Sequence, residues 1–130
     1  MVPASVPYFF TTMKNQGNIW GETSEIFNNK NVSVHYLKIR KGGYCSEHFH
    51  LAKSNIFVVL AGELKINIFI KKNNTESIDS TILKTGQETM VLPQTVHSFE
   101  AMTEVECLEI YTSEIKNDDI IRRNSGGIHD

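Results

Sequence analysis

Cysteine is scarce: Cys45 and Cys107 are the only two in 130 residues. That is too few for a disulfide scaffold or a thiolate zinc site, so both thiols are expected as small core-filling side chains in a reducing compartment. No apolar run approaches the ~20 residues that a bilayer-spanning helix requires. The opening MVPASVPYFFTT carries prolines at 3 and 7 and no basic residues ahead of an apolar segment. It does not read as a secretory signal, and the expected location is cytoplasmic. An excess of one charge is lacking too. The 13 Lys and Arg balance 15 Asp and Glu along the chain, which leaves no electrostatic footprint for nucleic acid or an anionic membrane. Internal repeats, low-complexity linkers and sustained 3.6-residue periodicity are missing as well, so one domain without a prominent helical pattern is expected.

What is present, from about residue 31 onward, is a succession of short β-branched and aromatic runs punctuated by Gly, Asn and Pro. NVSVHYLKIR (31–40) alternates and ends at Gly42-Gly43. YCSEHFH (44–50) and NIFVVL (55–60) follow, and Gly62 turns the chain into LKINIFI (64–70). The polar KKNNTESIDS (71–80) reads as a hairpin loop. TILKTG (81–86), ETMVLP (88–93), VHSFEAM (96–102) and VECLEIYT (105–112) complete the set. Eight or so strands at this spacing predict an all-β antiparallel sandwich or barrel. The expected division is an N-terminal arm over 1–18, a barrel over 19–115, and a tail over 116–130. One helical turn near 118–122 and a loose end at Ser125-Gly126-Gly127 are expected in that tail. The aromatic PASVPYFFTTM segment fits packing on a second copy, so a homodimer is expected.

Alternate side chains of a strand share a face, so Ser46, His48 and His50 point one way and Cys45, Glu47 and Phe49 the other. Two imidazoles at i and i+2 can converge on one ion. Asn55, Phe57 and Val59 share a face of the next strand, and His97 with Phe99 one of a later strand. If the sheet closes, His48, His50, Asn55 and His97 can meet in its mouth. Three His and an oxygen suit one divalent transition metal, Zn²⁺, Ni²⁺, Mn²⁺ or Fe²⁺, and leave positions open for water or substrate. The alternative is a set of surface or hydrogen-bonded structural histidines. His35 shares a face with Leu37 and Ile39 and is more simply structural, although it could line the pocket.

These residues resemble the cupin superfamily. Its first motif is matched by Gly42, His48, His50 and Gly62, with Asn55 where the family has Glu. The second is matched by Gly86, Pro93 and His97, with Thr95 where the family has Gly. The resemblance implies a single-domain double-stranded β-helix, or jelly-roll barrel, in which the 1–18 arm could be a strand exchanged with a partner. A narrower resemblance, to the isomerase domain of type II mannose-6-phosphate isomerases, is carried by IWGETSEIF (19–27, with Trp20 and Gly21) and LEIYTSEIKNDDIIR (108–122, with Asp118, Asp119, Ile120 and Arg122). It implies metal-dependent aldose–ketose interconversion of a sugar phosphate.

Asn55 departs from that family: a neutral amide offers a carbonyl oxygen to a cation but cannot act as general base. Glu109, His35 and Glu47 are the candidates for that role, Glu47 alternating away from the ligand face. Three functions follow as expectations. The first is a metal-dependent sugar or sugar-phosphate isomerase or epimerase, with His35, Phe57, Phe99, Glu109 and Arg122 on the substrate. The second is a non-catalytic module binding a carbohydrate or other small molecule. The third is an iron(II) oxygen-using enzyme with a three-His centre.

Overall fold

The computed structural model describes residues 14–113 and 118–129. Thirteen strands run through the described residues: β1 (Lys14–Asn18), β2 (Gly21–Asn28), β3 (Val32–Ile39), β4 (Gly43–Tyr44), β5 (His48–Phe49), β6 (Ser54–Ala61), β7 (Glu63–Lys72), β8 (Thr75–Lys84), β9 (Glu88–Val91), β10 (His97–Ala101), β11 (Val105–Thr112), β12 (Ile121–Arg122) and β13 (Gly127–Ile128). No helix among them is long and apolar enough to cross a membrane.

All pairings are antiparallel. One sheet has the order β1-β2-β3-β11-β6-β9. In the other, β10 is central. One edge of it takes β7, which pairs with β8; the other takes the bent β4–β5 segment, whose far edge takes β13 and β12. The expected alternation is what joins the two sheets. Asn55, Phe57 and Val59 of β6, Val105, Cys107 and Glu109 of β11, and Leu37 and Ile39 of β3 are all buried. The apolar ones among them meet Leu64, Ile66, Phe99 and Ala101 from the second sheet in one cluster, the core of a jelly-roll barrel. Burying each large side chain contributes roughly 1.5–3 kcal/mol, which offsets the ordering of many short strands. The two cysteines are buried and unpaired. Burial pushes the Cys45 thiol up to about 12 and raises Cys107 as well, so neither is poised as a nucleophile.

Two expectations change. Residues 71–80 are not a loop. β7 and β8 pair from Glu63↔Lys84 out to Lys72↔Thr75, and the turn is Asn73-Asn74 alone, at φ 51° and 64°. That is the two-residue hairpin geometry for which Asn is favoured. All of residues 71–80 are exposed, so the ribbon has polar side chains on both faces and loses the alternation that marks a half-buried strand. Among the described residues the tail has no helical turn and no loose end: Ile121–Arg122 pairs with β5 and Gly127–Ile128 with β4. The last five residues of the expected arm form β1 on the same chain's β2, and residues 1–13 lie outside the described residues.

Gly62 turns β6 into β7 at φ 93°, and a Cβ there would sit 2.2 Å from the Glu104 carbonyl oxygen and 2.7 Å from Thr103 Oγ1. Both the backbone angle and the space demand glycine. Gly62→Ala is expected to cost about 2 kcal/mol or more and to lower the thermal midpoint by several degrees; circular dichroism melting reads it.

Candidate metal centre

His48 of β5 lies directly across from His97 of β10 in the sheet register, and His50 follows two residues on. One ligand atom from each of the three lies within 4.8 Å of the other two, and all three residues are buried. The rings stand edge to face, with centroids 4.5 Å apart for His48 and His97 and 5.1 Å for His48 and His50.

Each ring is anchored through Nδ1 to a backbone carbonyl: His48 to Ser46 at 2.7 Å, His50 to Asp119 at 2.6 Å, His97 to Thr95 at 2.8 Å. A carbonyl only accepts, so Nδ1 carries the hydrogen in each and, in the neutral ring, Nε2 bears the lone pair. His50 Nε2 is buried and has no partner. Three inward lone pairs with second nitrogens fixed from behind form the donor set that a divalent transition metal takes, and the residues fit such an ion.

The charges agree. Burial, then the neighbouring His97 and His50, push His48 down to about 3. Burial likewise lowers His97 to about 4 against the pull of its Thr95 hydrogen bond, and lowers His50. All three are neutral near pH 7, so an ion does not have to displace protons from them.

His50 is held from two sides. Its carbonyl takes the N–H of Gln94 at 2.6 Å, where Gln94 adopts φ 63°. Its ring bonds the Asp119 carbonyl, while the Asp119 carboxylate accepts the N–H groups of Leu51, Ala52 and Lys53 at 2.6, 3.1 and 3.1 Å. Burial alone would raise Asp119, but these three donors outweigh it and hold the carboxyl below its usual range.

Asn55 is fully buried on β6 beside the histidines. Its Nδ2 donates to His97 Nε2 at 3.3 Å and to Glu109 Oε2 at 3.2 Å, leaving Oδ1 buried without a partner. In this orientation the amide turns its nitrogen toward the histidines. A half-turn about Cβ–Cγ would turn the oxygen there instead.

Beside the histidines opens a cavity of about 460 Å³, lined by His35, His48, Phe99, Glu109, Tyr111 and Arg122, with Asn18, Trp20 and Thr23 also on its wall. Four of the five expected substrate residues therefore lie on one cavity. The fifth, Phe57, is 1% exposed and packs against His97 and Phe99 in the core. Glu109 bonds Asn55 and Tyr111 and its carboxyl is raised by burial, so a proton is held more tightly there than on a surface glutamate. His35 is lowered, chiefly by burial.

Three residues of the site were missed from sequence. Lys53 alternates with Asn55 and Phe57, a signal that could have turned it inward; it is 8% exposed, with Nζ 3.9 Å over the Tyr111 ring. Tyr111 shares the inward face of Glu109 on β11 by the same spacing. The role of Asp119 had no local signal, because its partners lie 66 to 69 residues away.

A family model described as Cupin matches residues 8–127. No protein of curated function matches the sequence. Among solved structures, the capsular polysaccharide assembling protein CapF from Staphylococcus aureus is similar, with a TM-score of 0.73 and 16% identity over 88% of this chain and 32% of its own. This chain thus spans about a third of CapF. Bacillus subtilis oxalate decarboxylase, described with Mn(II) centres, has a TM-score of 0.68 and 14% identity over 85% of this chain and 30% of its own. The Streptomyces protein PAC13, solved with uridine, has a TM-score of 0.73 and 12% identity over 92% and 93% of the two chains. Identities this low speak for the fold.

Folding of the metal-free protein must leave His48 and His97 uncharged, whereas in the unfolded chain both titrate near 6.5. Folded values below unfolded ones mean that the unfolded state binds more protons between those limits. Stability of the chelator-treated protein is therefore expected to be full above about pH 6.5 and to fall as the pH drops toward about 4, by on the order of a few kcal/mol. Urea titrations across this range, repeated on His97→Gln, would show a flatter profile in the variant; identical slopes would refute the assignment.

Proposed function

Because the chain belongs to the cupin family, we propose that it is a metal-dependent enzyme acting on a small hydroxylated ligand, a sugar derivative in the first instance. The observation that carries this is the clustering of three buried histidines, each fixed by an Nδ1 hydrogen bond from behind, next to a cavity whose wall includes His48. His48, His50 and His97 would hold the ion, with Asn55 able to add Oδ1 after its half-turn. The ion would supply Lewis-acid polarisation of a ligand oxygen. Its identity among Zn²⁺, Ni²⁺, Mn²⁺ and Fe²⁺ is left to metal analysis.

The chain's own groups supply the rest. Glu109 is the only carboxylate lining the cavity among the described residues, and its raised pKa suits a group that takes a proton and returns it. Asn55 cannot do this. Phe99 and Trp20, edge to face at 5.2 Å, give a ligand an apolar wall. The finer reading is isomerisation or epimerisation of a sugar phosphate, which rests on the sequence resemblance of 19–27 and 108–122, with Glu109 as the proton carrier. A second reading, a non-catalytic binding cupin, is favoured by one contact: Asn55 Nδ2 occupies the His97 Nε2 lone pair that an ion would need.

Protein exposed in turn to the four ions and desalted is expected to retain about one ion per chain, and His48→Ala to retain none, by plasma emission analysis. Retention of no ion by the unmodified chain leaves the binding reading. In the loaded protein, Glu109→Gln should keep its metal and lose roughly 10²-fold or more of the exchange of the mannose 6-phosphate C2 proton into deuterated solvent, followed by proton NMR. Unchanged exchange would remove Glu109 from the proton transfer.

A further inference from the structure

We propose that Lys53 anchors an anionic group of the ligand, so that the cavity beside the three histidines selects a carboxylate or phosphate ester over its neutral parent. This rests on reading that cavity as the ligand site, and it names a residue and a charge which that reading does not require.

Lys53 immediately precedes β6 and alternates inward with Asn55 and Phe57. It is 8% exposed, and its Nζ stands 3.9 Å over the Tyr111 ring, a member of the cavity wall. The same ring meets His35 and His50 at 5.5 Å. Among the described residues no carboxylate comes within 4.0 Å of this ammonium; the ion pairs found there involve other cations. A buried ammonium is costly without a counter-charge, and one aromatic face replaces only part of its lost hydration. The two nearby acids are engaged elsewhere. Glu109 bonds Asn55 and Tyr111, and Asp119 accepts three backbone N–H groups. They pull on Lys53 from a distance without outweighing burial, which lowers its pKa.

The charge of the whole centre points the same way. Three neutral imidazoles and an amide give an ion no negative ligand, and Arg122 reaches the same cavity from β12. An ion there, Arg122 on the wall and Lys53 over the Tyr111 ring bring three cationic groups around a cavity whose one lining carboxylate among the described residues is Glu109. A small anion complements it, and a neutral sugar does not.

The test is calorimetric titration of the zinc-treated protein with glucuronate, glucose 6-phosphate and glucose. At least one anion is expected to bind about tenfold or more tightly than glucose, with an advantage that shrinks as salt is added. Whichever anion binds distinguishes carboxylate from phosphate. Lys53→Met is expected to bring that anion to the affinity of glucose with metal content unchanged, and Lys53→Arg to retain part of the preference. The comparison of anions with glucose needs no variant, so it stands if Lys53→Met does not fold. Equal binding of all three compounds, binding of neither anion at millimolar concentration, or an intact preference in Lys53→Met overturns the proposal. An intact anion preference in a protein that retains no metal would overturn the metal reading and leave Lys53 as the anchor.

Discussion

Three imidazoles buried against one another can share so small a space only if all are uncharged, and the rest of the centre follows from that requirement. Protonating one would set a charge against two neighbours in a medium that screens poorly. The fold enforces neutrality by burial and enforces the tautomer by giving each Nδ1–H a carbonyl. Two of those carbonyls, of Ser46 and Thr95, lie two residues before their own histidines, so the strand ends bearing His48 and His97 orient their rings locally. The third comes from Asp119. With the hydrogens turned outward, the lone pairs face inward, where Asn55 Nδ2 already meets that of His97.

Legibility in the sequence followed the distance over which each constraint acts. Strand alternation sorted His35, Leu37 and Ile39 on β3 and Asn55, Phe57 and Val59 on β6 into one interior, and the HxH spacing put His48 and His50 on one face. Those are local rules, and the barrel obeys them. Alternation failed at the outer half of the β7–β8 ribbon. There neither face touches the core, and polar composition hid ten residues of strand and turn. It also could not tell that Phe57, correctly turned inward, would be covered by His97 and lie beneath the cavity. The bracing role of Asp119 was invisible because it depends on where the chain returns, which no short window contains.

Asn55 joins the histidines to the acid beside them. Its amide bridges His97 Nε2 and Glu109 Oε2, and its oxygen is left over. A glutamate there would put a second carboxylate against Glu109, and the pair would repel unless one held a proton. The amide removes that conflict and leaves Glu109 as the acidic group of the pocket, with Arg122 on the same wall and Lys53 over the Tyr111 ring. Substitution at one ligand position thus changes which neighbouring charges the pocket can tolerate.

The bond between the His50 ring and the Asp119 carbonyl spans 69 positions of the chain. During synthesis the histidine leaves the ribosome well before the carbonyl that orients it, and β5 exists before β12 can lie along its edge. A nascent chain carrying only the first nine strands would own two histidines without the third, and even with β10 added one ring would still lack its brace. The centre is therefore finished after the barrel's central strands, at the last pairing steps of the topology. A cell that supplies metal during translation would meet a partly formed claw, whereas the finished protein offers all three nitrogens at once.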